Sequence, residues 1–130
     1  MNTNLLKETA AKSFNGEINF AQVVAQMIEA KVESYRVDFI RKETIYYMPN
    51  GENFVSPLPF EDHKLAELFC SDGIQSAIKA SQRGELKYRQ FIPKALDSGV
   101  TSYVVYINGK KVIYFGRNGE THTELFPQAK

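Results

Sequence analysis

A chain of 130 residues with 43% hydrophobic and 24% charged side chains lies close to the globular average, which excludes fibrous and disordered classes. Its formal charge of +1 divides unevenly, −3 over residues 1–70 (7 basic, 10 acidic) and +4 over residues 71–130 (9 basic, 5 acidic), which favours self-association over a dedicated nucleic-acid binder. The lone cysteine, Cys70, excludes an intramolecular disulfide and a cysteine zinc cage and suits a reducing cytoplasm, while no run approaches the ~20 apolar residues of a membrane span.

Taken in chain order, Leu5, Leu6 and Ala10 predict a helix from about residue 3. A second helix follows, because Phe20, Val23, Val24, Met27 and Ile28 recur at helical spacing behind Asn19, an N-cap with Gln22 three residues on. Three strands come next, with Asn50-Gly51 as a hairpin turn that places Tyr47 opposite Phe54. Residues 57–71, opening Pro-Leu-Pro, read as a connector with a helical turn over residues 63–69. Ile74, Ala77 and Ile78 predict a third helix with Asp72 as its cap. Tyr88, Phe91, Ile92, Ala95 and Leu96 predict a fourth, kinked or shortened near Arg89 by Pro93 and ended by Gly99. Asn108-Gly109 then sets Val105 opposite Val112 and Tyr103 opposite Tyr114, and Asn118-Gly119 places Phe115 opposite His122.

Shifted by 68 positions, the chain matches itself without a gap: across residues 16–59 there are 14 identities in 44 positions, where about two or three are expected by chance. The expected fold is therefore α+β, with two tandem helix-helix-strand-meander units (about 1–60 and 69–128) packed as one pseudo-symmetric domain spanning 1–130. Strand alternation puts Tyr103, Val105, Ile107, Val112 and Tyr114 on one face, matched by Tyr35, Val37, Phe39, Thr44 and Tyr46, and this face is expected to meet the helices. The other face carries Arg36, Asp38, Ile45 and Tyr47 in the first unit. In the second it carries Val104, Tyr106, Ile113, Phe115 and His122, too much apolar surface to leave in water.

No motif for catalysis, metal or nucleotide survives comparison with its structural explanation. His63 and His122 lack ligand spacing, and a lone strand histidine beside an aromatic reads as a packed residue. Cys70, between Phe69 and Ser71, is expected to be buried and inert. The recurring carboxylates Glu17/Glu85 and Glu52/Glu120 read as helix-opening and strand-opening residues. Phosphate-cradling glycine loops are absent. Aromatic strands near Arg83, Lys87, Arg89, Lys110, Lys111 and Arg117 offer a stacking platform for single-stranded nucleic acid, a reading ranked below core or interface packing.

The paired signatures Gly16-Glu17, Val32-Glu33-Ser34-Tyr35-Arg36-Val37-Asp38-Phe39 and Tyr114-Phe115-Gly116-Arg117-Asn118-Gly119-Glu120 resemble the YbcV/YdfO-like family, small bacterial and prophage proteins of unknown function, some labelled phage envelope protein. The resemblance implies an α+β fold of duplicated units and a phage origin, and brings no catalytic residues. The repeat departs from itself at Pro49, where the second copy has Arg117, and at Lys31, where it has Gly99.

The resulting expectation is a cytoplasmic, non-enzymatic interaction or structural accessory module without a cofactor. It would bind a protein partner or a second copy of itself through Val104, Tyr106, Ile113, Phe115 and His122. The alternative is a small-molecule binder or enzyme, with a cleft between the units lined by His122, Glu120, Glu124 or Tyr106.

Overall fold

The computed structural model describes residues 1–127. In chain order it contains α1 (Thr3–Phe14), α2 (Phe20–Glu29), β1 (Ser34–Asp38), β2 (Glu43–Tyr47) and β3 (Asn53–Pro57), then α3 (Ser71–Gln82), α4 (Tyr88–Asp97), β4 (Val100–Tyr106), β5 (Lys111–Gly116) and β6 (Thr121–Leu125). The fold is α+β, four helices with a six-stranded antiparallel sheet in the order β3-β2-β1-β4-β5-β6.

Two central strands, β1 and β4, join the sheet, with Arg36 opposite Val104, Tyr35 opposite Val105 and Val37 opposite Tyr103. Alternation sends Tyr35, Val37, Tyr103, Val105, Val112 and Tyr114 into the core, where they meet Leu6, Met27, Ile74 and Ile92 from the four helices. The helices thus cover one face of the sheet, as the apolar pattern predicts.

Helix α2 starts with a complete capping box. Asn19 Oδ1 accepts from Gln22 N–H at 2.9 Å, and Gln22 Oε1 accepts from Asn19 N–H at 2.8 Å. At the start of α4 only half of this exists: Gln90 accepts from Lys87 N–H, and lysine has no acceptor to return. Replacing Asn19 by Ala is expected to cost about 1 kcal/mol, seen as a lower thermal midpoint by circular dichroism. An unchanged midpoint would show that packing, and not the cap, sets this helix start.

Several local expectations are corrected. The connector, residues 58–70, contains no helical turn. The cap of α3 is Cys70, whose Sγ accepts from Gly73 N–H at 3.3 Å, and Asp72 lies inside the first turn. Helix α4 runs through Pro93 to Asp97, because the proline removes one N–H but the packing of Phe91, Ile92, Ala95 and Leu96 holds the helix on both sides of it. Gly16 and Gly84 close α1 and α3, so Glu17 and Glu85 do not open helices. Their N–H groups instead bond back to Lys12 and Ala80 carbonyls.

Two hairpin registers differ by one residue from the sequence expectation. Tyr47 faces Asn53 and Phe115 faces Thr121, while Phe54 faces Tyr46 and His122 faces Tyr114. Each loop has three residues, closed by Met48 N–H to Glu52 O and Gly116 N–H to Glu120 O. Gly51 and Gly119 take positive φ as its last residue, so the Asn-Gly pair is not a two-residue turn. The extra residue changes parity, and His122 moves to the helix-covered face.

Candidate functional site

Between the helix layer and the sheet lies an open cleft of about 1130 Å³. Four strands supply its floor with Tyr35, Tyr46, Tyr103 and Tyr114, while α1 and α2 contribute Phe14, Phe20 and Val23. Opposite them stand Ile78 of α3 with Tyr88 and Phe91 of α4. At one end Phe20 meets Phe126 edge to face, centroids 5.3 Å apart. Above, the two interhelical loops come so close that a Cβ on Gly16 would run into the Lys87 side chain.

Five tyrosines contribute phenol hydroxyls to this lining, beside polar side chains such as Thr9, Thr44 and Ser56. The Tyr88 and Tyr103 hydroxyls bond to each other at 2.7 Å, and the rings of Tyr103 and Tyr114 lie 5.2 Å apart. Among the described residues no buried side-chain oxygen lacks a hydrogen-bond partner. The Tyr35, Tyr46 and Tyr114 hydroxyls bond to no described group and therefore open onto the cleft. Loss of hydration pushes the Tyr46 phenol up to about 12. The same cause raises Tyr35, Tyr103, Tyr88 and Tyr114, with neighbouring Tyr88 adding to the effect on Tyr35 and Tyr103.

His122 links two elements: its Nδ1 lies 3.3 Å from Ser71 Oγ at the start of α3, and its Nε2 lies 3.2 Å from Glu124 Oε1 on β6. The order of hydroxyl, imidazole and carboxylate is that of a nucleophile relay, but Ser71 stands outside the cleft that Glu124 lines. The arrangement ties an edge strand to a helix. His63 bonds Asp97 at 2.7 Å, at the far end of α4. Cys70, expected to be buried, is exposed because capping α3 holds it at the surface. Glu52 and Glu120 lock their hairpins by accepting from Asn50 Nδ2 and Asn118 N–H. Among the described residues no three His, Cys, Asp or Glu side chains gather as a metal site.

Of the residues singled out for binding, Val104, Tyr106, Ile113 and Phe115 share the uncovered face of the sheet, and His122 does not join them. That face is broader than the second half alone. Register carries one row across all six strands, Val55, Ile45, Arg36, Val104, Ile113 and Thr123. Val55 in that row, and Tyr47, Tyr106 and Leu125 beside it, are exposed. Arg36 reaches Ser102 Oγ at 3.2 Å and lies 6.0 Å over the Phe115 ring. In the alternative set, Glu124 lines the cleft, Glu120 stays in its turn, and Tyr106 lies on the opposite face. The basic residues do not form one border, since Lys87 lies at the cleft rim, Lys111 on the uncovered face, and Arg83 pairs with Glu85.

Sequence reasoning carried a cleft between the two units as its alternative and found the tyrosines as core positions, but it did not make the tyrosines the lining of that cleft, which both halves share. Identity at Tyr35/Tyr103 and Tyr46/Tyr114 was the available signal, because a phenol kept in a core position needs somewhere to put its hydroxyl.

These features define a helix-on-sheet α+β protein with one aromatic cleft and one bare sheet face. A family model described as protein of unknown function (DUF1398) matches residues 59–124, half of the chain, and the chain belongs to that family. No curated protein matches it.

Proposed function

We propose that this is a non-enzymatic interaction module, and that its uncovered sheet face packs against the same face of a second copy. The observation behind this reading is the row of Val55, Ile45, Val104 and Ile113, interrupted at its centre by Arg36 and flanked by Tyr47, Tyr106 and Phe115, on the face no helix covers. A two-fold axis along the strands would set β1–β3 of one copy over β4–β6 of the other, and so an acidic half over a basic one. The same reading makes the chain one domain descended from a doubled unit. In support, positions 36 and 104, which differ by the repeat interval of 68, face each other, and the element order helix, helix, three strands occurs twice. It also keeps the YbcV/YdfO-like label, which is compatible with the family match, and with that label a prophage origin. We place the protein in the cytoplasm because no described helix is long and apolar enough to cross a membrane and the exposed Cys70 is its only cysteine.

Sedimentation velocity tests the face. The unaltered chain is expected to dimerise, and Ile113→Glu, which puts a charge into the apolar row, is expected to leave a folded monomer. A monomer at the highest attainable concentration, or a dimer indifferent to Ile113→Glu, would overturn the assignment.

A further inference from the structure

We propose that the cleft between helices and sheet binds an uncharged, planar aromatic molecule bearing hydrogen-bond acceptors. Its volume of about 1130 Å³ exceeds the ~300–1,000 Å³ usual for small-molecule sites. The Phe20–Phe126 pair stands at one end, and the interhelical loops close over the cleft at Gly16 and Lys87. That loop contact favours a compact ligand over a through-running peptide.

Aromatic rings line the floor and the wall opposite, with Tyr88 and Phe91 stacked at 6.4 Å and Tyr35 and Tyr46 tilted toward each other at 5.8 Å, and a flat guest can pack against their faces. The charge pattern selects against ions. Of the charged lining residues, Lys7, Glu17 and Lys87 stand on α1 and the interhelical loops, while Glu124 lies on the floor beside Tyr114 with its carboxylate already accepting from His122. An anion on that floor would lose its hydration without gaining an opposite charge, and a cation would find its one carboxylate already engaged. Burial keeps the phenols protonated, so the open hydroxyls of Tyr35, Tyr46 and Tyr114 can donate. Acceptors on the ligand would meet these donors, and its ring would take the place of water over the aromatic floor.

The test uses the full chain and three probes: N-phenyl-1-naphthylamine, its sulfonated relative 8-anilinonaphthalene-1-sulfonate, and coumarin, which is neutral and carries a carbonyl acceptor. Fluorescence titration for the naphthalenes and calorimetry for coumarin are expected to give saturable binding of the neutral probes at one per chain. The sulfonate should bind at least ~10-fold more weakly. Ala10→Trp, which fills the cleft from α1, is expected to abolish binding of both neutral probes. The ring-preserving triple variant Tyr35→Phe, Tyr46→Phe, Tyr114→Phe is expected to weaken coumarin ~10-fold and to leave the naphthylamine within ~2-fold. Ile40→Ser, at an exposed position of the β1–β2 turn outside the cleft, should change neither. The proposal is overturned if neither neutral probe saturates, if the sulfonate binds as tightly as its neutral relative, or if Ile40→Ser removes binding. Unchanged coumarin affinity in the triple variant would overturn the hydrogen-bonding part, and the triple variant serves as the site test should Ala10→Trp not fold.

Discussion

Above about pH 10 the protein is expected to lose stability at up to ~7 kcal/mol per pH unit and to unfold in one step. The cause is the group of phenols on the cleft floor and wall. Five of the seven tyrosines, Tyr35, Tyr46, Tyr88, Tyr103 and Tyr114, are held by burial above the ordinary value near 10, Tyr46 at about 12. The folded state binds these protons more tightly than the unfolded chain does. Their contribution is fully present below pH 10, where both states are protonated, and falls as pH rises from 10 toward the folded values. Each such phenol costs ~1.4 kcal/mol per unit in that window, and five together would consume a typical domain stability of ~5–15 kcal/mol within one or two units.

Absorbance at 295 nm and far-ultraviolet circular dichroism, recorded in one alkaline titration, check this. The tyrosinate signal of the five buried rings and the loss of secondary structure should share a midpoint. Tyr35→Phe removes one phenol that makes no hydrogen bond to a described group, so it should leave stability at pH 7 within ~1 kcal/mol and move the alkaline midpoint upward. A gradual rise in absorbance, complete while the circular dichroism remains native, would show the tyrosines to be open to solvent and the cleft floor misdescribed.

Much of this floor was legible in the sequence. Period-two alternation alone puts Tyr35, Val37, Tyr103 and Val105 on the helix side, and burial of all four agrees. The Asn108-Gly109 hairpin also yields the right partners, Tyr103 with Tyr114 and Val105 with Val112, although Lys110 and not the Asn-Gly pair carries the positive φ. An even-numbered loop keeps parity whatever its turn type. Asn50-Gly51 and Asn118-Gly119 failed because the same dipeptide can end a three-residue loop, and nothing in the pair itself distinguishes the two uses. A two-residue turn there puts His122 on the wrong face. Side-chain alternation could have arbitrated: Thr121, Thr123 and Leu125 are exposed, while His122 and Glu124 are half-buried, but a strand reading Thr-His-Thr-Glu-Leu shows no hydrophobic alternation to reveal it.

The cleft was less legible for a different reason. Its walls come from α1, α2, α3 and α4, and how far apart helix pairs stand over a sheet depends on side-chain volumes at contacts between distant segments. Periodicity says which stripe faces inward, not how much space remains beneath it. The connector posed a similar difficulty: His63 to Phe69 carries Leu65, Ala66 and Leu68 at spacings that imitate a helical turn. In the structure Ala66 N–H bonds to Leu96 O and Cys70 N–H to Ser98 O, so tertiary partners satisfy the backbone that a helix would otherwise satisfy locally.

That docking of the connector onto the end of α4 makes Gly99→Ala the single substitution expected to damage the fold most. Gly99 sits at φ +77, where an L side chain is strained by ~1–2 kcal/mol. A Cβ would also run into the Leu68 carbonyl, a backbone atom that moves only by loosening the bonds at Ala66 and Cys70 on either side. Together these should cost about 3 kcal/mol, or roughly 10 °C in thermal midpoint. Lys31 ends α2 in the same left-handed conformation, φ 63, with Lys31 N–H bonded to Ile28 O and Val32 N–H to Met27 O. There Lys31→Gly should act in the opposite sense: relief of the strain outweighs the added freedom of the unfolded chain, for a net gain of ~0.5–1 kcal/mol. Paired denaturant titrations give both values on one scale. If Gly99→Ala cost less than Lys31→Gly gained, conformational strain would be the whole effect, and the connector would not be pressed against the end of α4 as described.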